Sequence, residues 1–223
     1  SFLFEEDKKH LLLDCGASTL IRLKQERISP LDIDTIVITH FHGDHYGGLP
    51  FFIISCFVEF KRTKPFAIVG PAGIEEKVMN LQDALYPGTT GMIESMGVRF
   101  IEFSDGVQLE HEDIAIYARK VTHAPDSNPH GVRIAWKEKI IAFSGDTEWN
   151  DSLIDLSEGS DIFIVECNNY QNDSPGHLSY KTILEHRESF ETRRLLLTHM
   201  GSEVIETNGL LIEKLADAQQ IEF

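Results

Sequence analysis

The chain has 223 residues and a mass of 25.3 kDa, with 42% hydrophobic and 25% charged residues, a balance that fits a globular protein and excludes a disordered one. Its formal net charge of −16, with a pI near 4.9, works against tight nucleic-acid binding, which ordinarily presents a basic face to phosphates. No apolar run approaches the roughly 20 residues of a membrane helix.

The chain opens at Ser1 with neither an initiator Met nor a signal peptide, and Phe2 to Phe4 already reads as strand. A natural start upstream is therefore expected, and an exported precursor stays open. A strand is predicted at 11–14, a helix at 19–25 and a strand at 36–39. The apolar run 49–58, interrupted by Pro50 and Ser55, reads as a buried helix. Lys61, Arg62 and Lys64 read as a solvated loop, with a local basic patch as the alternative. A strand at 66–69 leads to a helix at 74–85, in which Ile74, Val78, Leu81 and Leu85 share one face. After the loop 86–91 come strands at 98–103 and 114–121. A hairpin follows, 132–136 with 140–144, carrying a charged tip at 137–139. The remainder predicts a helix at 152–157, a strand at 162–166, a helix at 179–186, a strand at 195–198 and a helix at 210–218. Such alternation is the mark of an α/β protein, and without a repeat or linker it reads as a single domain over 1–223. Cys15, Cys56 and Cys167 form no Cys-x-x-Cys pair, which argues against a disulfide framework or thiolate zinc site and favours buried free thiols and a cytoplasmic home.

Four predicted strands run into an imidazole or a carboxylate: 36–39 into His40, 118–122 into His123, 141–145 into Asp146 and 195–198 into His199. The carboxyl ends of strands are where α/β sheets usually hold their sites. The run His40-Phe41-His42-Gly43-Asp44-His45 adds further donors. Neutral imidazole and carboxylate are the ligands that suit zinc in hydrolytic sites. His40 and His42, two apart in an extended turn, point the same way. Asp44 and His45 follow Gly43, whose missing side chain permits a tight turn. Taken singly, a histidine such as His123 or His199 is more often structural than a ligand. The cluster decides against that, because buried polar groups cost free energy unless paired. The expected count is His40, His42 and His123 on one ion and Asp44, His45 and His199 on a second, with Asp146 and a water or hydroxide between them.

The same residues carry a resemblance. Thr39-His40-Phe41-His42-Gly43-Asp44-His45, preceded by Leu13-Asp14-Cys15-Gly16 and followed by Phe143-Ser144-Gly145-Asp146-Thr147 and Leu197-Thr198-His199, resembles the metallo-β-lactamase superfamily pattern, in the family's order. The resemblance implies a four-layer αβ/βα sandwich with the site at its edge. Within the superfamily the chain is most similar to the ribonuclease Z-like branch and its phosphodiesterase relatives. The pointers are Thr122-His123-Ala124-Pro125, Gly131-Val132-Arg133-Ile134 and Gly176-His177-Leu178-Ser179. In that branch a histidine at the last position protonates the leaving group, which implies this role for His177. Two features depart from the branch. Only residues 124 to 145 separate His123 from Asp146, too few for a tRNA-gripping arm, and a glycine-rich opening strand is missing ahead of Ser1.

These readings lead to an expected metal-dependent hydrolase of a small phosphodiester, with tRNA disfavoured by charge and the missing arm. Two divalent ions are expected, zinc by donor set, although manganese or iron would also be accommodated. Asp44 is expected to bind metal and to accept the attacking water's proton. Asp14 is expected to hold a ligand histidine from behind. Glu166 either orients His177 or is an ordinary acid at a strand end. His130 is a candidate for the mouth of the site. An alternative substrate class is a carboxylic ester, lactone or thioester. A non-enzymatic metal-binding or redox-partner role is a third reading, weakened by the intact donor set. The superfamily often forms homodimers, but no stretch of the sequence marks an interface.

Overall fold

Strands form where branched and aromatic apolar residues cluster, and the computed structural model, which describes all 223 residues, collects them into two sheets. The sheets belong to separate units, Ser1–Glu102 and Phe103–Phe223.

In the first unit β1 (Phe2–Glu6) and β2 (Lys9–Leu13) form an antiparallel hairpin. Then β3 (Ile33–Val37), β4 (Ala67–Gly70) and β5 (Arg99–Glu102) add in parallel, in the order β1-β2-β3-β4-β5. Five helices accompany them: α1 (Thr19–Gln25), α2 (Gly43–Tyr46), α3 (Leu49–Ile54), α4 (Ile74–Leu85) and α5 (Gly91–Ser95). The core joins Leu12, Ile36, Ile38 and Ile68 of the sheet to Leu49, Phe52 and Ile53 of α3 and Ile74 and Val78 of α4. The helix expected over 49–58 is present as α3 continued by a π-helical turn, Ser55–Glu59, but it is buried along one side only, with Phe51 and Val58 exposed. On α4 the buried stripe continues to Gln82, and Leu85, expected on that face, is 46% exposed.

Arg62 corrects the reading of 61–64 as a solvated loop. Lys61 and Lys64 are exposed, but Arg62 is buried and donates to the carbonyl oxygens of Lys64 (2.7 Å), Pro30 (2.9 Å) and Ile33 (2.9 Å). Its guanidinium lies 4.6 Å from the centre of the Phe66 ring. It ties three segments together rather than forming a basic surface.

In the second unit the sheet order is β12-β11-β10-β9-β8-β7-β6, with β6 (Gln108–His111), β7 (Ile114–Lys120), β8 (His130–Trp136), β9 (Lys139–Phe143), β10 (Ile162–Glu166), β11 (Leu195–Thr198) and β12 (Glu213–Lys214). Pairing is antiparallel from β6 to β9 and parallel from β9 to β12. Helices α6 (Ser152–Ser157), α7 (Tyr180–Glu185) and α8 (Ser202–Glu206) complete the unit. Leu153, Leu156, Phe163, Val165, Ile183 and Leu197 anchor its core.

The helix expected over 210–218 is absent. Leu196 and Leu197 of β11 pair instead with Glu213 and Lys214. Arg194 grips Glu213 through two bonds of 2.6 and 2.8 Å, and Lys214 Nζ caps the carbonyls of Val204, Ile205 and Thr207 at the end of α8. The Leu211 N–H donates to the Tyr180 hydroxyl. Tertiary partners here outweigh helix propensity. No helix is long and apolar enough to cross a membrane.

Topology explains where donors collect. β2 and β3 are parallel, so Asp14 and His40 follow strand ends on the same edge of the first sheet. In the second sheet β8 runs against both β7 and β9, so β7, β9, β10 and β11 share one direction. Their carboxyl ends bring His123, Asp146, Glu166 and His199 to one edge.

Candidate metal centre

In the first unit the donor run wraps the amino end of α2. His42 is its N-cap residue in extended conformation, and Asp44 and His45 lie inside it. The rings of His40 and His42 are 4.9 Å apart and those of His40 and His45 4.0 Å apart. His40 and His45 are buried, whereas the Asp44 side chain is 64% exposed and sits 3.5 Å from His45 Nε2.

Asp14 organises this cluster from behind. Its Oδ2 lies 2.6 Å from His45 Nδ1, and its carboxylate also accepts from the Thr39 N–H and hydroxyl. A carboxylate only accepts, so the His45 proton sits on Nδ1 and the lone pair on Nε2. The single hydroxyl hydrogen of Thr39 is committed to Asp14, so Thr39 Oγ1 receives the Nδ1–H of His40, 3.0 Å away. One buried acid therefore fixes the tautomer of two histidines, the arrangement that metal-bound imidazoles require. Asp14 holds φ at 59°, a strained value at the end of a strand.

The close fit depends on glycines other than the one expected. A Cβ on Gly43 would meet nothing within 4 Å, and its φ is not positive, so the tight-turn argument fails there. A Cβ on Gly16 would fall 2.1 Å from the Asp44 carbonyl oxygen, and one on Gly48 2.1 Å from the Gly16 carbonyl oxygen. The backbones are zipped between them: Cys15 N–H donates to His45 O (2.6 Å) and Gly48 N–H to Cys15 O (2.8 Å).

In the second unit His199 Nε2 lies 3.3 Å from Asp146 Oδ2, and His199 also holds a positive φ, 49°. His177 stacks on His199 at 5.2 Å and 9°, and meets His123 edge-on at 4.9 Å. The donor atoms of Glu166, His177 and His199 lie within 4.8 Å of one another. The fully buried Glu166 accepts from His177 Nδ1 (2.9 Å) and from the Thr147 N–H (2.8 Å) on Oε1, and from the Asn168 N–H (3.2 Å) on Oε2. Burial pushes the Glu166 carboxyl above its ordinary value, and the bonds from His177 and Thr147 pull it back. His123 Nδ1 lies 2.8 Å from the Gly176 carbonyl oxygen, which can only accept, so its lone pair is also on Nε2. His130 does not line a mouth: it is buried against Phe103 at 5.2 Å, with Nδ1 on the Asn128 carbonyl oxygen.

The donor chemistry fits divalent ions. Imidazoles whose protons are fixed on Nδ1 present Nε2, and the accompanying side chains are carboxylates. Thr39 and Gly176 stand beside donors in the sequence, a local signal of their roles, whereas Glu148 has no such signal.

A ribonuclease Z of Pyrococcus horikoshii is 27% identical over 240 aligned residues, covering 85% of this chain and 76% of that protein. Among solved structures, the metallo-beta-lactamase fold protein YhfI from Bacillus subtilis superposes with a TM-score of 0.72 at 23% identity, over 90% of this chain and 78% of that one. A diphosphatase from the PhnP family superposes with a TM-score of 0.74 at 19% identity, over 99% and 83%. These likenesses establish an α/β chain with the metallo-β-lactamase fold and bear out the resemblance to the ribonuclease Z-like branch. The family model described as anti-Pycsar protein Apyc1 matches residues 1–216, and the chain belongs to that family.

Proposed function

We propose that the chain hydrolyses a small phosphodiester at a centre of two divalent ions. That it is a metallo-hydrolase rests on its fold, its relatives and its donor set. His40, His42 and His123 would hold one ion and Asp44, His45 and His199 the other, with Asp146 shared, the assignment the family motifs suggest. We treat 1–223 as one hydrolase domain because the motifs of one superfamily run through it in order. The all-His/Asp donors suit zinc, with manganese or iron also accommodated. When bound, two such ions supply Lewis acidity, lowering the pKa of a water and neutralising charge on phosphate oxygens.

The protein's own groups do the rest. Asp44, exposed and held at the start of α2, accepts a proton from the attacking water. Asp14 and the Gly176 carbonyl oxygen hold their histidines in one tautomer. His177 keeps its Nδ1–H on Glu166, so the proton it can deliver to a departing alkoxide is on Nε2. Glu166 stabilises the imidazolium form, as a buried acid partner does.

The observation that carries the phosphodiester reading is this Glu166–His177 pair packed against His199. A proton donor matters most when the leaving group is a poor alkoxide. A small substrate is favoured over tRNA by the net charge of −16 and by the short segment after His123, which a 3-10 turn (Pro125–Ser127), β8 and β9 occupy. Three buried free thiols suit a reducing, cytoplasmic home. His177→Ala should slow cleavage of an alkyl phosphodiester about 10²–10⁴-fold, the usual contribution of general acid catalysis. It should slow a nitrophenyl phosphodiester far less. Equal losses on both substrates would overturn the proton-donor role.

A further inference from the structure

Three segments of the second unit converge on Gly176. Glu148, two residues beyond Asp146, donates its N–H to the carbonyl oxygen of Thr122 (2.7 Å), the residue before His123. Its Oε1 accepts the Gly176 N–H at 2.8 Å. The Gly176 carbonyl oxygen in turn accepts His123 Nδ1–H at 2.8 Å, and the next residue is His177, on Glu166. Gly176 holds φ at +82°, and a Cβ there would fall 2.5 Å from His123 Nδ1.

The consequence is mechanical. The peptide plane before Gly176 is held by the N–H bond to Glu148; the plane after it is held by His123 on its carbonyl oxygen and by the His177 N–H on Ser174 O. Glycine turns readily between positive and negative φ, so its backbone does not hold this geometry alone. The preceding residues have their own supports: reciprocal bonds between Ser174 and His177 (2.9 and 3.2 Å), Asn169 on the Ser174 hydroxyl, and the Asp173 carboxylate on the Ser179 N–H and Thr182 hydroxyl; none of these holds the Gly176 N–H. Gln171 to Asp173 are exposed.

We infer that Glu148 is a positioning residue: its carboxylate locks the Gly176 turn, and through that turn it fixes the ring of His123 and the placement of His177. The inference rests on the metal-centre reading above, since it concerns how a donor of that centre is oriented. A bond between a carboxylate and an N–H is roughly twice as strong as a neutral one, which suits the group that holds the peptide before Gly176.

The test compares wild type with Glu148→Ala, Glu148→Met and Glu148→Gln. After chelation, each is titrated with Zn²⁺ against a competing chelator, and the His123 ring is followed by long-range ¹H–¹⁵N NMR. Ala and Met remove the acceptor and should weaken Zn²⁺ binding about tenfold, the lower end for outer partners of metal ligands. Both should also convert His123 from a single Nδ1–H tautomer to a mixture. Gln keeps an acceptor oxygen and should restore the tautomer and most of the affinity. Wild-type affinity and a single tautomer in Ala and Met would overturn the role of Glu148, as would a Gln variant no better than they are. Failure of wild type to bind Zn²⁺ would overturn the metal-centre reading instead, leaving the tautomer to decide whether Glu148 orients His123.

Discussion

Asp14 Oδ2 lies 2.6 Å from His45 Nδ1, and the same carboxylate takes the hydroxyl hydrogen of Thr39. Two donor histidines thus depend on one buried acid. Asp14→Ala should lower metal affinity by about 10–100-fold. It also strands the buried Thr39 N–H, at a cost of about 1–3 kcal/mol. Asp14→Asn should fold better than Ala, because Asn tolerates the positive φ at this position. Metal titration and urea unfolding check both effects; unchanged affinity in the Ala variant would count against the orienting role.

The two glycines near the donor run should behave oppositely. Gly43→Ala lies within the motif yet has open space around it, so urea unfolding should find it near wild-type stability. Gly16→Ala drives a Cβ onto the Asp44 backbone and should cost at least the ~1–3 kcal/mol of an overpacked core. Comparable stabilities would show that the close approach of these backbones is not required.

The thiols should be inert in the native protein. Burial pushes Cys15 and Cys167 up to about 12 and Cys56 to about 11. At pH 8 the thiolate fraction of a thiol with pKa near 12 is on the order of 10⁻⁴, and only the thiolate reacts. A disulfide reagent should therefore modify none of the three rapidly before denaturation and all three after it. Rapid labelling of the folded chain would contradict the burial.

The readable parts of the site were those whose signal is local. His40 to His45 stand in one run, and the other donors follow apolar strands, so both are legible in the sequence. Strands such as Ile162–Glu166 and Leu195–Thr198 and helices such as Thr19–Gln25 were legible because each has a clear apolar pattern. What escaped depends on contacts between distant segments. The 210–218 stretch has helical spacing, but β11, Arg194 and the end of α8 claim its backbone and side chains. Arg62 sits between two lysines and looks solvated until the carbonyls of Pro30 and Ile33 come to it. Glu148 gives no signal in the sequence because its partner is 28 residues away. Short α2, α5 and α8 carry too few residues to show a period.

Metal-dependent cleavage of a phosphodiester is the activity proposed for this chain. The most direct test is hydrolysis by the metal-loaded protein of a nitrophenyl phosphodiester, a thioester and a lactone, with bound metal counted in the same sample. Two ions per chain are expected, with turnover of the phosphodiester well above the other two, lost on chelation and regained when metal is returned. Preferred turnover of the thioester or lactone, or phosphodiester cleavage that survives complete removal of metal, would contradict the proposed activity.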